Sequence, residues 1–354
     1  MKIKNLECWS KDLKLTEPYT IAYETIDTSP HVFLKLQTES GLVGWGCAAP
    51  DLEVTGETAA GVLGHFQQTI EPYLRGKSPF QFALILDELR TLIPGNPSAL
   101  AMVDMALYDL VGKKAGVPLY QLLGGYRDSI PTSITIGILP VAETVEKARQ
   151  FIASGFKILK IKGGSNLEQD IEKIRKVREA VGAGIELRFD ANQGFSVEQS
   201  VQFIRATQQA GIELLEQPTA KENESLMGEV SQRVQVPIMA DESLMTLKDV
   251  FRLSSNNYTD MINIKLMKVG GITEGMHINS VAKSAGIESM VGCMDESALG
   301  IAAGLHFALS RPNILYADLD GHFDLEDDPF AGMIRLKEGV LYPPELPGLG
   351  WKGA

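Results

Sequence analysis

The sequence predicts an α/β fold, a closed eight-stranded barrel of alternating strands and helices preceded by a smaller α+β unit. Three observations carry this. From about residue 131 short apolar runs recur roughly every 24–29 residues, at "TSITIG", "KILKIK", "ELRFDA", "IELLEQ", "PIMADE", "MINIKL", "ESMVGC" and "ILYADLD". Helix-like segments such as "LEQDIEKIRKVREAVGAG" and "VEQSVQFIRATQQAG" separate them, and that alternation implies a parallel sheet with right-handed crossovers. Eight strands suit closure, and no GxGxxG follows the first of them, which counts against an open dinucleotide-binding sheet.

Residues 1–50 read as strands: "KIKNLECWSKDLKL", then "HVFLKLQTESGLVGWGCAAP", where "ESG" turns one alternating run into the next. Residues 56–94 carry apolar positions at helical spacing. "SALAMVDMALYDLVGKKAG" predicts a long helix, with Ser98 as N-cap, lysines in the last turn, Gly116 as terminator and Pro118 just beyond. The expected divisions are an N-terminal unit over 1–125, a barrel over 126–324, and a tail over 325–354 too short to fold alone and expected to pack back on the first unit.

The 354 residues are 44% hydrophobic and 22% charged, ordinary for a globular chain that buries a sizeable core. A net charge of −12 argues against nucleic acid or an anionic membrane as a partner, since both demand a basic face. Cys8, Cys47 and Cys293 show no CxxC or Cys/His metal spacing and read as reduced thiols. The opening residues lack the apolar core of a secretory leader, and no apolar run approaches ~18 residues, so a cytoplasmic location is expected.

In such a barrel the strand C-termini converge on one mouth. Read in order, they carry Lys160 and Lys162, Asp190, Glu216, Asp241, Lys265, then Asp318 and Asp320. Lys160 and Lys162 are one residue apart in an otherwise apolar strand, so both ammonium groups face one side, an arrangement that needs a reason. Three acids from three consecutive strands form a self-repelling arc that a hard divalent cation would neutralise. Oxygen-only ligation without Cys or His suits Mg²⁺ and disfavours zinc.

"KIK", "DAN", "EQP", "ADES" and "NIKLMKVGG" on strands two to six, with "MALYDLVGKKAGVPLYQLLGG" at the domain junction, resemble the muconate-lactonizing-enzyme subgroup of the enolase superfamily over nearly the whole chain. The resemblance implies a (β/α)₇β modified TIM barrel with an α+β capping domain, and Mg²⁺ held by Asp190, Glu216 and Asp241. It makes Lys162 an acid/base catalyst tuned by the neighbouring charge of Lys160, with Lys265 facing it across the substrate. Lys268 is the rival to Lys265 but lies a turn beyond the strand end. Asn192 and Glu242 fall behind the ligands, and Thr135 on the first strand falls among the substrate contacts.

Two lysines flanking one metal suit removal of the proton α to a carboxylate, with the enediolate stabilised by the ion and the proton returned on the opposite face. "YADLDGHFDL" on the eighth strand resembles the dipeptide epimerases, where the Asp-x-Asp pair, here Asp318 and Asp320, holds the substrate's α-ammonium. The reaction then inverts Cα of the C-terminal residue. Where alanyl-glutamate epimerases carry an arginine, this chain has Glu24 beside Tyr23; Asp51, Glu53, Asp295 and Glu296 add further negative charge. Such a pocket favours a lysine or arginine side chain. The alternatives are an L-Ala-D/L-Glu epimerase, an N-acylamino acid racemase or o-succinylbenzoate synthase, and, from different classes, a Schiff-base aldolase or a non-catalytic barrel. A mandelate-type site needs a seventh-strand histidine, which is absent from "MVGCMDE". His322, just after the Asp-x-Asp, is placed to line the pocket. The expected partner is a small dipeptide, and a homo-oligomer is compatible with a sequence that specifies no interface.

Overall fold

The computed structural model describes residues 1–21 and 25–352. Its cap opens with strands β1 (Ile3–Thr20), β2 (Thr25–Thr38) and β3 (Val43–Ala48), an antiparallel sheet in that order. The β2–β3 hairpin closes where Thr38 N donates to Leu42 O at 2.9 Å, with Gly41 at φ +83°. The helix Pro97–Ala115 lies against this sheet and is buried almost all round, as expected of a helix packed on more than one side. "GWG" in β3 permits that approach, because a Cβ on Gly46 would stand 2.0 Å from Met102 O and one on Gly44 2.4 Å from Ala106 O.

The start of that helix differs from expectation. Asn96 is the N-cap and Pro97 the first helical residue, so Ser98 lies inside. The first-turn amides of Ser98 and Ala99, which have no acceptor within the helix, are met instead by the Glu57 carboxylate, at 2.8 and 3.1 Å, from a loop 41 residues before Ser98. Gly116 ends the helix in the left-handed conformation at φ +75°, with Pro118 beyond, as read from the sequence.

After the short strand β4 (Ile130–Pro131), eight parallel strands form the second sheet: β5 (Ile134–Ile136), β6 (Ile158–Lys162), β7 (Glu186–Asp190), β8 (Ile212–Glu216), β9 (Ile238–Ala240), β10 (Met261–Lys265), β11 (Glu288–Gly292) and β12 (Ile314–Asp318). They pair consecutively from β5 to β12. Helices between them, such as Leu167–Val181 and Val197–Ala206, bury one face on the strands. The interior below the mouth holds Leu214, Met239, Met261 and Met290, with Tyr316 beside them. Arg188 also lies inside, paired to Glu213 at 2.6 Å and to Ala317 O at 3.0 Å.

The seam between β5 and β12 has no ladder and is fastened by single bonds. Ser133 N donates to Ala317 O at 3.2 Å, and Leu319 N to the Thr132 hydroxyl at 2.9 Å. Ser133 Oγ donates to Asp318 at 2.6 Å, and Thr135 N to Asp320 at 2.6 Å.

The tail reaches both units. Strands β13 (Arg335–Lys337) and β14 (Val340–Tyr342) form a hairpin that pairs with β4, at the start of the barrel unit. Leu325 bridges to Leu15 in the cap, and Leu349 N donates to Asp109 on the long cap helix at 2.8 Å. Among the described residues no helix is long and apolar enough to cross a membrane.

Candidate active site

Register places the polar strand ends on one level: Lys162 lies opposite Asp190, and Asp190 opposite Glu216. Asp190, Glu216 and Asp241 are buried, and each offers one oxygen within 4.8 Å of the others. An octahedral Mg²⁺ with oxygens at ~2.1 Å sets its ligands about 3–4 Å apart, a span these three can supply. Among the described residues Asp190 Oδ2 and Glu216 Oε2 have no hydrogen-bond partner, only ammonium charge beside them. An all-carboxylate set with buried, unshared oxygens fits a hard divalent ion.

The neighbouring ammonium belongs to Lys160. It is 2% exposed and touches Glu216 at 2.8 Å, Asp318 at 2.9 Å and Asp190 at 3.1 Å. Burial opposes its charge, but Asp318, Glu216 and Asp190 together outweigh burial and hold its pKa well above the ordinary value. One cation cannot neutralise every acid around it. Burial and the nearby Asp190 and Asp241 outweigh Lys160 at Glu216 and lift its pKa to about 8. Asp241 goes the other way: burial would raise it, but Lys265, Lys268 and Lys160 hold it well below the carboxylate range.

Lys162 and Lys265 both line the cavity, on β6 and β10, four strands apart in an eight-stranded sheet and so on opposite walls. Lys162 Nζ lies 3.9 Å from Asp190, and Lys265 Nζ 2.7 Å from Asp241. Lys268 does not line the cavity. It is buried behind Asp241, donating to that residue's carboxylate and backbone carbonyl.

Residues following the ligands adopt unusual backbone. Asn192 (φ 40°) and Gln217 (φ 32°) are non-glycine residues in the left-handed region, a cost of order 1–3 kcal/mol each that persists where surroundings enforce it. Asn192 N donates to Asp190 at 2.9 Å, and its side-chain amide donates to Glu242 at 3.2 Å. Gln217, which sequence reasoning missed, ties two ligand strands together: its carbonyl accepts from the amides of Asp241 and Ser243 at 3.0 and 3.1 Å. Asn263 was also missed, and its amide donates to Glu216 at 2.8 Å. Its place two residues before Lys265, hence on the same strand face, is the signal that would have found it.

The cavity encloses about 610 Å³ between barrel mouth and cap. Asp318, Asp320, Thr135, Asp295 and Asp51 all line it. Asp318 is pushed up by burial but pulled down to about 2 by Lys160 and the Ser133 hydroxyl; burial and Asp318 lift Asp320 to about 7. Asp51 accepts from Val54 N at 2.8 Å and shapes its own loop. Glu24 and Tyr23 lie outside the described residues. Glu296 is buried and turned away, accepting from Met294 N at 3.0 Å. His322 does not line the cavity as expected; it packs on Phe323, ring centroids 4.2 Å apart. Glu17, Asp27 and Asp324 line it without having been singled out, as does Cys293, whose thiol lies 3.8 Å from Asp320. Eleven acidic residues and four lysines therefore line the described cavity.

Comparison with known proteins agrees over the full length. Residues 5–124 match the family model for the mandelate racemase/muconate lactonizing enzyme N-terminal domain, and residues 143–352 match that for the enolase C-terminal domain-like fold. The chain is 43% identical to an L-Lys-D/L-Arg epimerase from Desulforapulum autotrophicum, over 99% of each sequence. It superposes on a substrate-liganded L-Ala-D/L-Glu epimerase from Bacillus subtilis with a TM-score of 0.97 at 40% identity, covering 100% of this chain and 99% of the other. A dipeptide epimerase from Enterococcus faecalis, complexed with Mg and L-Leu-L-Tyr, gives 0.95 at 41% identity, covering 99% of each.

Proposed function

The chain belongs to the mandelate racemase/muconate lactonizing enzyme family of the enolase superfamily, and on that premise we propose that it is a magnesium-dependent dipeptide epimerase inverting Cα of the C-terminal residue. One observation carries the reading: two lysines on opposite walls of one cavity flank a buried carboxylate triad. When bound by Asp190, Glu216 and Asp241, Mg²⁺ supplies positive charge that offsets the charge developing on the substrate carboxylate as its α proton leaves. Lys162 takes the α proton from one face, and Lys265 delivers a proton to the other; each acts in the reverse role for the opposite stereoisomer. Lys160 holds Asp190, Glu216 and Asp318 in place and balances their charge. Asp318 and Asp320 receive the substrate's α-ammonium, with Thr135 beside them. The three free thiols agree with a cytoplasmic location.

The acidic residues of the wall outside the metal and α-ammonium sites, among them Asp27, Asp51, Glu53, Asp295 and Asp324, favour dipeptides bearing lysine or arginine. The relative acting on L-Lys-D/L-Arg is in keeping with this. An L-Ala-D/L-Glu specificity fits the comparisons equally well, through the Bacillus subtilis structure. A dipeptide library incubated in D₂O and read by mass spectrometry decides both points. One deuterium per dipeptide is expected, with Ala-Lys and Lys-Lys ahead of Ala-Glu. Absence of exchange would remove the epimerase reading, and a clear lead for Ala-Glu would remove the cationic preference. Lys162→Ala and Lys265→Ala should each abolish exchange from a different stereoisomer.

A further inference from the structure

We propose that His31 is a positioning residue for the substrate side chain, fixing the loop after β11 and so setting Asp295 and Met294 against the cavity. This rests on the cavity being a dipeptide site. His31 lies on β2 in the cap, and its imidazole is wholly buried. Nδ1 is 3.0 Å from Ser29 O, and Nε2 is 2.8 Å from Ser297 N. A carbonyl only accepts and an amide only donates, so Nδ1 carries the hydrogen and Nε2 the lone pair. Burial outweighs the pull of Asp328 and Asp12 and keeps the ring neutral, with its pKa down at about 4.

Ser29, two residues away on the same strand face, donates its hydroxyl to Asp295 O at 2.7 Å. The cap thus grips the β11 loop at both 295 and 297. Asp328 in the tail also holds this loop, accepting from Ser297 Oγ and Ala298 N, each at 2.7 Å. The ring also stacks on Phe33, 5.9 Å between centroids at 11°. Cap residues Thr25–Pro30 and barrel residues Cys293–Asp295 both line the cavity, so His31 joins two parts of one wall. Lys162, Lys265, Asp190 and Glu216 sit on other strands, and Asp241 just after another. Loosening this clamp therefore displaces a specificity surface and leaves the proton-transfer groups in place.

The test compares His31→Phe, which keeps the stack but loses the acceptor, with His31→Gln, whose Oε1 can still accept from Ser297 N. Both are made in the full chain and assayed by deuterium exchange with Ala-Lys and Ala-Ala. His31→Phe should raise KM for Ala-Lys more than threefold and up to about tenfold, the ceiling that one lost buried hydrogen bond sets on the cost of re-ordering the loop. Its kcat should stay within about twofold, and KM for Ala-Ala within about threefold. His31→Gln should restore KM for Ala-Lys to within about threefold of the parent. Equal KM increases for both substrates, a fall in kcat, or no rescue by Gln would each overturn the proposal. If the parent exchanges no dipeptide, the epimerase reading has failed, and amide-exchange protection over 295–298 reads the clamp alone. Loss in the Phe variant with retention in the Gln variant supports the clamp; equal protection in both overturns it.

Discussion

Lys160→Met removes the one ammonium shared by Glu216, Asp318 and Asp190, at 2.8, 2.9 and 3.1 Å. At an effective dielectric of about 20, each contact near 3 Å is worth about 5 kcal/mol of attraction. Dehydrating the ammonium costs several kcal/mol in return. Deleting one partner of a buried ionic cluster typically costs about 3–5 kcal/mol, because the remaining charges stay buried without compensation. At roughly 2 °C per kcal/mol for a chain of this size, the variant should melt about 6–10 °C below the parent in EDTA. Saturating Mg²⁺ returns positive charge to Asp190 and Glu216 and should cut the difference to roughly half. Thermal unfolding followed by circular dichroism, with and without Mg²⁺, measures both numbers without reference to activity. An unchanged melting temperature in EDTA, or a deficit that Mg²⁺ leaves untouched, would refute the view that Lys160 is the counter-charge of the metal-binding carboxylates.

Asn263→Ala strips Glu216 of its neutral donor and should weaken Mg²⁺ binding about 10–100-fold by calorimetric titration, as losses behind metal ligands commonly do. Asp320→Asn leaves an acceptor for Thr135 N but no charge, so KM for a free-amine dipeptide should rise about 10–100-fold while an N-acetylated analogue is unaffected. Asp104, buried at the N-terminus of the helix Ile272–Ser284, has its pKa raised to about 7 by burial, against the amide and hydroxyl bonds from Ile272 and Thr273. Between pH ~4 and ~7 the folded chain keeps a proton that the unfolded chain has lost, so stability falls with rising pH, by about 4 kcal/mol at most. Urea unfolding of Asp104→Asn should therefore show its stability relative to the parent improving from pH 5 to pH 8, and a constant difference would contradict this.

Barrel strands were readable because each is a short apolar run between amphipathic helices, and the ligands because they sit at the last residue of their strand or just after it. All eight runs became strands, β5 to β12. What stayed hidden depends on partners distant in sequence. Ser98 looks like an N-cap locally, but Pro97 fixes the helix start and Glu57 answers the free amides from 41 residues away. His31 looks ordinary until Ser297, 266 residues on, is placed against it. Gln217 carries no charge, so a search for charged strand ends passes it by, although its backbone and both ends of its amide organise the ligand loops. The tail's pairing with Ile130–Pro131 rests on strands of two and three residues, too short for periodicity to register.

Where the first and last staves of the barrel meet, two of the rivets are the same aspartates proposed to hold the incoming amine. Losing Asp318 leaves the Ser133 hydroxyl only its longer bond to Ala317 O, at 3.4 Å, and whatever replaces Asp320 must still accept from Thr135 N. A lineage drifting toward substrates without an amino group must therefore re-stitch its own wall as it changes its diet.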